Sequence, residues 1–193
     1  MSLDPILVAL RVADVLDALG VDYLVGGSVA SSLTGVSRTT LDVDLVVRLN
    51  EDRIDALVGL LAGEFHADPE SLRRAVRTRS SSNLIHFETG MKVDVFVARD
   101  DLVDREQMRR RRRLLVAKNP DRFLFVSAPE DTIAQKLRWY RMGNELSDRQ
   151  WSDILGVLRI NRGRLDEAYL NRAAGQLGVS DLLERALAQA EEI

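Results

Sequence analysis

The sequence predicts an α/β fold in which a small mixed-sheet core, residues 1–126, is followed by a C-terminal helical domain, residues 127–193. Up to about residue 126, short stretches of alternating or continuous apolar residues, typical of strands, are interleaved with amphipathic helical patterns. Beyond that point only helical periodicity is found. A length of 193 residues fits one domain with an appendage or two small domains.

In the first part, the patterns predict helices over 4–19, 28–33, 51–64, 69–78 and 101–112, and strands over 23–25, 41–47, 83–88, 91–97, 114–116 and 123–126. Asp4 is suited to cap the first helix, Pro5 to its first turn and Gly20 to its end. In the second part, helices are predicted over 129–142, 147–161, 166–177 and 179–192. Ser127 and Glu130 have the spacing of a capping box at the first of these.

Composition excludes several kinds of site. The chain has no cysteine and two histidines, so disulfides, thiolate catalysis and metal centres rich in cysteine or histidine are excluded. A bound metal would be held mainly by oxygen ligands, which favours Mg²⁺ or Mn²⁺. Because no apolar run reaches the roughly 20 residues of a membrane helix and no secretory signal is visible, we expect a cytoplasmic protein without a membrane partner.

Three aspartates in predicted strands form the first candidate site. Asp42 and Asp44 are two residues apart, so strand alternation places both on one face, where like charges repel unless a cation neutralises them. The opposite face would carry Leu41, Val43, Leu45 and Val47. Asp94 lies in an apolar strand, where an uncompensated carboxylate is costly. If the two strands are neighbours, the three carboxylates can hold divalent ions; the alternative is a surface Asp-x-Asp pair and an unrelated strand aspartate.

A glycine-rich turn forms the second candidate site. Gly26-Gly27-Ser28 joins a predicted strand to a predicted helix, where backbone amides and the serine hydroxyl can bind phosphate. The alternative is a tight turn with a serine cap.

The strands predicted over 83–88 and 91–97 would form a hairpin. A two-residue turn at Thr89-Gly90 would place Ile85 opposite Asp94 and turn His86 to the other face, in a structural role.

The order of these features resembles the DNA polymerase β nucleotidyltransferase superfamily over residues 23–97. The resemblance implies that a Gly-Ser pair binds the triphosphate of a nucleotide, that Gly26 shapes the turn, and that three aspartates bind the metal. The residues to which these roles carry are Gly27, Ser28, Asp42, Asp44 and Asp94.

Further motifs are similar to those of AbiEii-type toxin nucleotidyltransferases. They are Arg38-Thr39-Thr40, Pro129-Glu130-Asp131 with Ala134-Gln135-Lys136-Leu137, and the pair Arg149 and Asp153. This resemblance implies nucleotide contacts by Arg38, Lys136, Arg149 and Asp153, and an antitoxin protein as a partner. A solvated helix face is the alternative for Lys136, and helix packing is the alternative to base stacking for Tyr140 and Trp151.

Together these features predict transfer of a nucleoside monophosphate from a nucleoside triphosphate to an acceptor hydroxyl, with Asp94 as the base. RNA and a small molecule of the antibiotic type are alternative acceptors, and a non-catalytic nucleotide-binding protein is a third hypothesis. RNA is favoured by two arginine-rich stretches, Arg73, Arg74, Arg77 and Arg79, and Arg109 to Arg113. On a helix, Arg109, Arg112 and Arg113 would share one face.

Overall fold

The computed structural model describes residues 4–35 and 40–191. Of these, residues 4–29 and 40–126 belong to one compact unit, the sheet unit, and residues 30–35 and 127–191 belong to a second, the helical unit. The predicted fold class, a mixed sheet with helices followed by a helical part, is confirmed. None of the described helices combines the length and the apolar character needed to cross a bilayer.

The helices that begin in the sheet unit are α1 (Pro5–Ala18), α2 (Gly27–Thr34), α3 (Ile54–Leu61), α4 (Pro69–Thr78) and α5 (Leu102–Arg110). Its strands are β1 (Tyr23–Val25), β2 (Asp42–Val47), β3 (Phe65–Ala67), β4 (Ser81–His86), β5 (Lys92–Val97), β6 (Arg112–Ala117) and β7 (Arg122–Val126). In the described part of the chain they form one seven-stranded sheet in the order β3-β4-β5-β2-β1-β7-β6. The pairs β2–β5 and β1–β7 are parallel and the others antiparallel.

The central strands follow the alternation of their sequences. On β2 and β5 the buried side chains are Val43, Leu45, Val47, Val93, Val95 and Val97. The acidic residues alternate with them and point to the other face. Leu41, predicted for the buried face, instead precedes the strand and is 58% exposed. At the start of α1 the predicted cap is confirmed, because the Ile6 amide donates a 2.9 Å hydrogen bond to Asp4 Oδ1.

Two features of the sheet unit differ clearly from the prediction. The strand Phe65–Ala67 was not predicted, because, unlike Tyr23–Val25, it is not a continuous run of apolar residues. The helix predicted over 101–112 ends at Arg110, and the backbone of Arg111 leaves helical geometry at φ −50° and ψ 140°. The arginines that follow begin β6, the edge strand that pairs with β7. Strand pairing, a tertiary effect, thus overrides the local helical preference of the arginine run.

The hairpin between β4 and β5 also differs from the prediction. Its connection comprises residues 87–91 rather than two residues, and the His86 amide donates to Met91 O at 2.9 Å. Asn83 therefore pairs with Asp94, and Ile85 with Lys92, so the expected pairing of Ile85 with Asp94 is wrong.

The predicted orientation of His86 is confirmed by its burial on the opposite face of β4. Its Nδ1 lies 2.9 Å from Thr89 Oγ1, and its ring lies 4.9 Å from that of Phe65. These contacts give His86 a structural role.

The helical unit contains α6 (Pro129–Met142), α7 (Asp148–Ile160), α8 (Glu167–Gln176) and α9 (Ser180–Glu191). The predicted capping box at α6 is wrong, because Ala128 is the N-cap residue and provides no side-chain hydrogen bond. Glu130 instead accepts a 3.0 Å hydrogen bond from the amide of Asp166, before α8, and Asp131 accepts one from the hydroxyl of Tyr169 on α8. Both carboxylates are buried, so they need partners that the first turn of α6 does not supply.

Replacement of Tyr169 by Phe tests this link between α6 and α8. The change removes a donor to the buried carboxylate of Asp131, and we expect a loss of about 1.5–3 kcal/mol in the free energy of unfolding. Urea denaturation measures it. Tyr140→Phe is the matched control, because the Tyr140 hydroxyl accepts only a long hydrogen bond, 3.3 Å, from Arg185 among the contacts described. Equal losses for both variants would contradict the link.

Candidate active site

The parallel pairing of β2 with β5 brings the three predicted aspartates together on one face of the sheet. Asp44 lies directly opposite Asp94, and Asp42 directly opposite Lys92. Neighbouring strands are about 4.8 Å apart, and residues two apart on one strand are separated by about 6.6 Å. The predicted proximity of the two strands is therefore confirmed, and Asp42, Asp44 and Asp94, here called the carboxylate group, occupy three corners of a small lattice.

Lys92 occupies the fourth corner of this lattice. Its Nζ lies 2.7 Å from Asp94 Oδ2. The hydrogen bond to Asp94, together with the charges of Asp94, Asp42 and Asp44, raises the pKa of Lys92 above its ordinary value, against the opposing effect of partial burial. Sequence reasoning missed this residue, although a signal was present: Lys92 precedes Asp94 by two positions, and strand alternation alone places both on one face.

The carboxylate group has the donor chemistry that a divalent cation requires. Carboxylate oxygens are the ligands that Mg²⁺ and Mn²⁺ prefer. In the present conformation, no three acidic or histidine side chains among the described residues are arranged to hold an ion, and Asp94 is engaged by Lys92. The residues therefore fit a divalent cation by their chemistry, and the side chains would have to rearrange to take it up.

The glycine turn lies directly against the carboxylate group. The Gly26 amide donates to Asp44 O at 2.9 Å, which joins the end of β1 to β2. Gly27 begins α2 with φ +52°, and a Cβ on it would lie 1.7 Å from Asp44 Oδ2. The place of the Asp44 carboxylate thus requires glycine at 27. Ser28, the second residue of α2, is half-buried.

The toxin-like motifs predicted four further residues that contact the nucleotide. Lys136, Arg149 and Asp153 belong to the helical unit, and Arg38 lies outside the described residues. Lys136 Nζ and Asp153 Oδ2 are 2.8 Å apart, and both side chains are at least nine-tenths buried. A solvated helix face, the alternative for Lys136, is therefore wrong. Arg149 is exposed on α7.

Tyr140 and Trp151 contact other side chains of the helical unit. Their ring centroids are 5.1 Å apart, and the Trp151 indole donates to Gln189 Oε1 at 2.7 Å. The guanidinium of Arg185 lies 4.1 Å from the Trp151 ring. These contacts favour helix packing as the role of both aromatic residues.

The first arginine-rich stretch is engaged in ion pairs. Arg73 lies within 2.7 Å of carboxylate oxygens of both Asp55 and Glu70, and Arg77 lies 2.9 Å from Glu51. These pairs neutralise much of the positive charge that the sequence suggested for this helix.

The second stretch is divided between a helix and a strand. Arg109 lies on α5, whereas Arg112 and Arg113 lie on β6, so the expectation that the three share a helical face is wrong. The guanidinium of Arg113 lies 3.7 Å from the ring centroid of Phe123, and that of Arg111 covers the ring of Phe125. Arg111 and Arg113 thus cover aromatic rings of β7.

Comparison with solved structures identifies the fold. The chain is similar to an antigenic nucleotidyltransferase-like protein from Paracoccidioides brasiliensis, with 19% identity, a TM-score of 0.51, and coverage of 94% of this chain and 90% of the other. It is also similar to the antibiotic-resistance factor ANT(2'')-Ia, with 15% identity, a TM-score of 0.53, and coverage of 94% and 97%. The lincosamide antibiotic adenylyltransferase LnuA, bound to lincomycin, gives 14% identity, a TM-score of 0.45, and coverage of 77% and 92%.

No protein-family model matches the chain, and no curated protein matches it. At these identities the structural similarities establish the fold, which this chain shares with nucleotidyltransferase-like proteins.

Replacement of Gly27 by Ala tests the contact between the glycine turn and Asp44. We expect a loss of more than about 1 kcal/mol in the free energy of unfolding, because alanine is strained at positive φ and its Cβ would overlap the carboxylate. Gly26→Ala is the matched control, because it has open space and no positive φ, and it should cost under about 0.5 kcal/mol. Equal losses of stability for the two variants in urea denaturation would contradict the close contact between Gly27 and Asp44.

Replacement of Lys136 by Met should destabilise the protein by about 3 kcal/mol or more, because it removes the cation from a buried ion pair. The double variant Lys136→Met/Asp153→Leu should recover most of this loss, since it removes both charges. Urea denaturation of the single and double variants measures the difference. If Lys136→Met unfolds at the wild-type urea concentration, the pair does not contribute to stability.

Proposed function

We propose that this protein is a metal-dependent nucleotidyltransferase, which transfers a nucleoside monophosphate from a nucleoside triphosphate to an acceptor hydroxyl and releases pyrophosphate. The observation that carries the proposal is the register of β2 and β5, which places Asp42, Asp44 and Asp94 on one face beside the glycine turn. The fold shared with nucleotidyltransferase-like proteins supports it.

The glycine turn supplies the proposed triphosphate site. Gly27 has no side chain and is the first residue of α2. The backbone amides and the positive dipole end at a helix N-terminus favour phosphate oxygens, and the hydroxyl of Ser28 can donate a further hydrogen bond. Gly26 holds the turn against β2 through its hydrogen bond to Asp44 O.

In the proposed reaction, the acceptor oxygen forms a bond to the α-phosphorus while the bond from that phosphorus to the bridging oxygen of the β-phosphate breaks. The proton of the acceptor hydroxyl passes to the carboxylate of Asp94, and the electron pair of the broken bond leaves with pyrophosphate. A divalent cation bound by Asp42, Asp44 and Asp94 would supply charge neutralisation and lower the pKa of the acceptor hydroxyl. From the family resemblance we retain Arg38, Lys136, Arg149 and Asp153 as proposed nucleotide contacts.

For the acceptor, we propose a small hydroxyl-bearing molecule of the antibiotic type. In support, Arg73 and Arg77, two of the arginines expected to bind RNA phosphates, are paired with acids. A third, Arg113, covers the ring of Phe123 on β7. An RNA acceptor, and with it an antitoxin partner, is the second candidate, favoured by the toxin-like motifs around Arg38 and Lys136. The presence of all three aspartates disfavours a non-catalytic nucleotide-binding protein.

The activity is tested by incubating the protein with each α-³²P-labelled nucleoside triphosphate, Mg²⁺ and either cell RNA or a panel of hydroxyl-bearing antibiotics. We expect label on a small-molecule acceptor, and Asp44→Asn or Asp94→Asn to lower the rate by about a hundredfold or more. Asp100→Asn is the matched control, because Asp100 is exposed and follows the same strand. It should retain the wild-type rate.

Label on RNA would replace the proposed acceptor with the second candidate and leave the reaction type intact. Transfer that survives both Asp44→Asn and Asp94→Asn would refute the role of the carboxylate group. Absence of transfer to either acceptor class, together with absence of triphosphate binding in equilibrium dialysis with Mg²⁺, would refute the proposed function.

A further inference from the structure

Lys92 brings a positive charge of the protein itself into the carboxylate group. It shares the exposed face of β5 with Asp94, to which it donates a 2.7 Å hydrogen bond, and its register partner on β2 is Asp42. Asp44 lies at the diagonal corner, so the nearest carboxylates to the ammonium are Asp94 on its own strand and Asp42 on the neighbouring one.

We propose that Lys92 is a positioning residue that takes the place of the divalent cation in the free protein. Its ammonium compensates the carboxylate group before the cation arrives, and it leaves Asp94 when the cation binds. This inference rests on the proposed function, because it takes Asp42, Asp44 and Asp94 as the ligands of the cation.

The three carboxylates repel one another. Asp44 lies about 4.8 Å from Asp94 across the strands and about 6.6 Å from Asp42 along β2, and such like charges disfavour one another unless a cation is near. Lys92 supplies a cation and fixes the direction of the Asp94 side chain through the hydrogen bond. The side chain of Lys92 is 41% exposed, so its flexible stem leaves room to swing toward solvent.

The same geometry makes Lys92 a competitor of the metal. An ammonium hydrogen-bonded to Asp94 occupies one of the oxygens that an ion would use, and it repels a divalent charge a few ångströms away. Binding of the cation to the free protein therefore has to break the hydrogen bond and overcome this repulsion. A triphosphate reverses the balance, because its negative charge stabilises both the cation and the displaced ammonium. The cation should consequently bind more tightly when the nucleotide is present.

The test is a titration of the full-length protein with Mn²⁺ in the absence of nucleotide, in which electron paramagnetic resonance measures the Mn²⁺ affinity. Removing a unit charge a few ångströms from a divalent ion in a solvent-exposed site should raise the Mn²⁺ affinity of Lys92→Met on the order of tenfold. Lys92→Arg keeps the charge and should bind Mn²⁺ as the wild type does. Lys118→Met removes the same charge from an exposed turn and controls for net charge.

The gain should disappear when Asp44→Asn is combined with Lys92→Met, because the ion then loses a ligand. If Lys92→Met binds Mn²⁺ no more tightly than the wild type does, the inference is overturned. The proposed function would still stand if Mn²⁺ binding by the wild type depends on Asp44. If Lys92→Met changes the free energy of unfolding but not the Mn²⁺ affinity, the ion pair is purely structural, and the inference is also overturned. Absence of Mn²⁺ binding in every variant, with or without triphosphate, would overturn the inference and the metal site together.

Discussion

The in-register parallel pairing of β2 with β5 is the constraint on which the candidate site depends. It places Asp44 opposite Asp94 and Asp42 opposite Lys92, with valines and Leu45 buried on the other face. Because side chains alternate along a strand, a shift of either strand by one residue would bury carboxylates and expose the core. The hydrophobic pattern that stabilises the sheet therefore also fixes which charges meet.

The glycine turn depends on the same register. Gly26 is hydrogen-bonded to the backbone of Asp44, and Gly27 approaches the Asp44 carboxylate too closely for any side chain. The start of α2 and the carboxylate group are consequently held as one local structure within the sheet unit. This arrangement places a helix N-terminus beside three carboxylates, which is the chemistry that the proposed nucleotidyl transfer requires.

The helical unit uses its charges differently. Glu130, Asp131, Lys136 and Asp153 are all buried, and their described contacts run between helices of that unit: α6 to α7 through Lys136 and Asp153, and α6 to the start of α8 through the other two. A motif that resembles a nucleotide-binding element can thus owe much of its composition to packing. Substitution of such residues would alter stability as well as any contact with a ligand, so the two effects have to be measured separately.

The sequence by itself determined the fold class, most of the elements, and the face on which Asp42, Asp44 and Asp94 lie, because these follow from local periodicity. It did not determine the register of the hairpin, the start of the strand Arg112–Ala117 within the arginine run, or the partners of Glu130 and Lys136. Those features depend on loop length and on residues distant in the chain. The pair of Lys92 with Asp94 follows from alternation along one strand, but only the register of β2 brings Asp42 beside the same lysine.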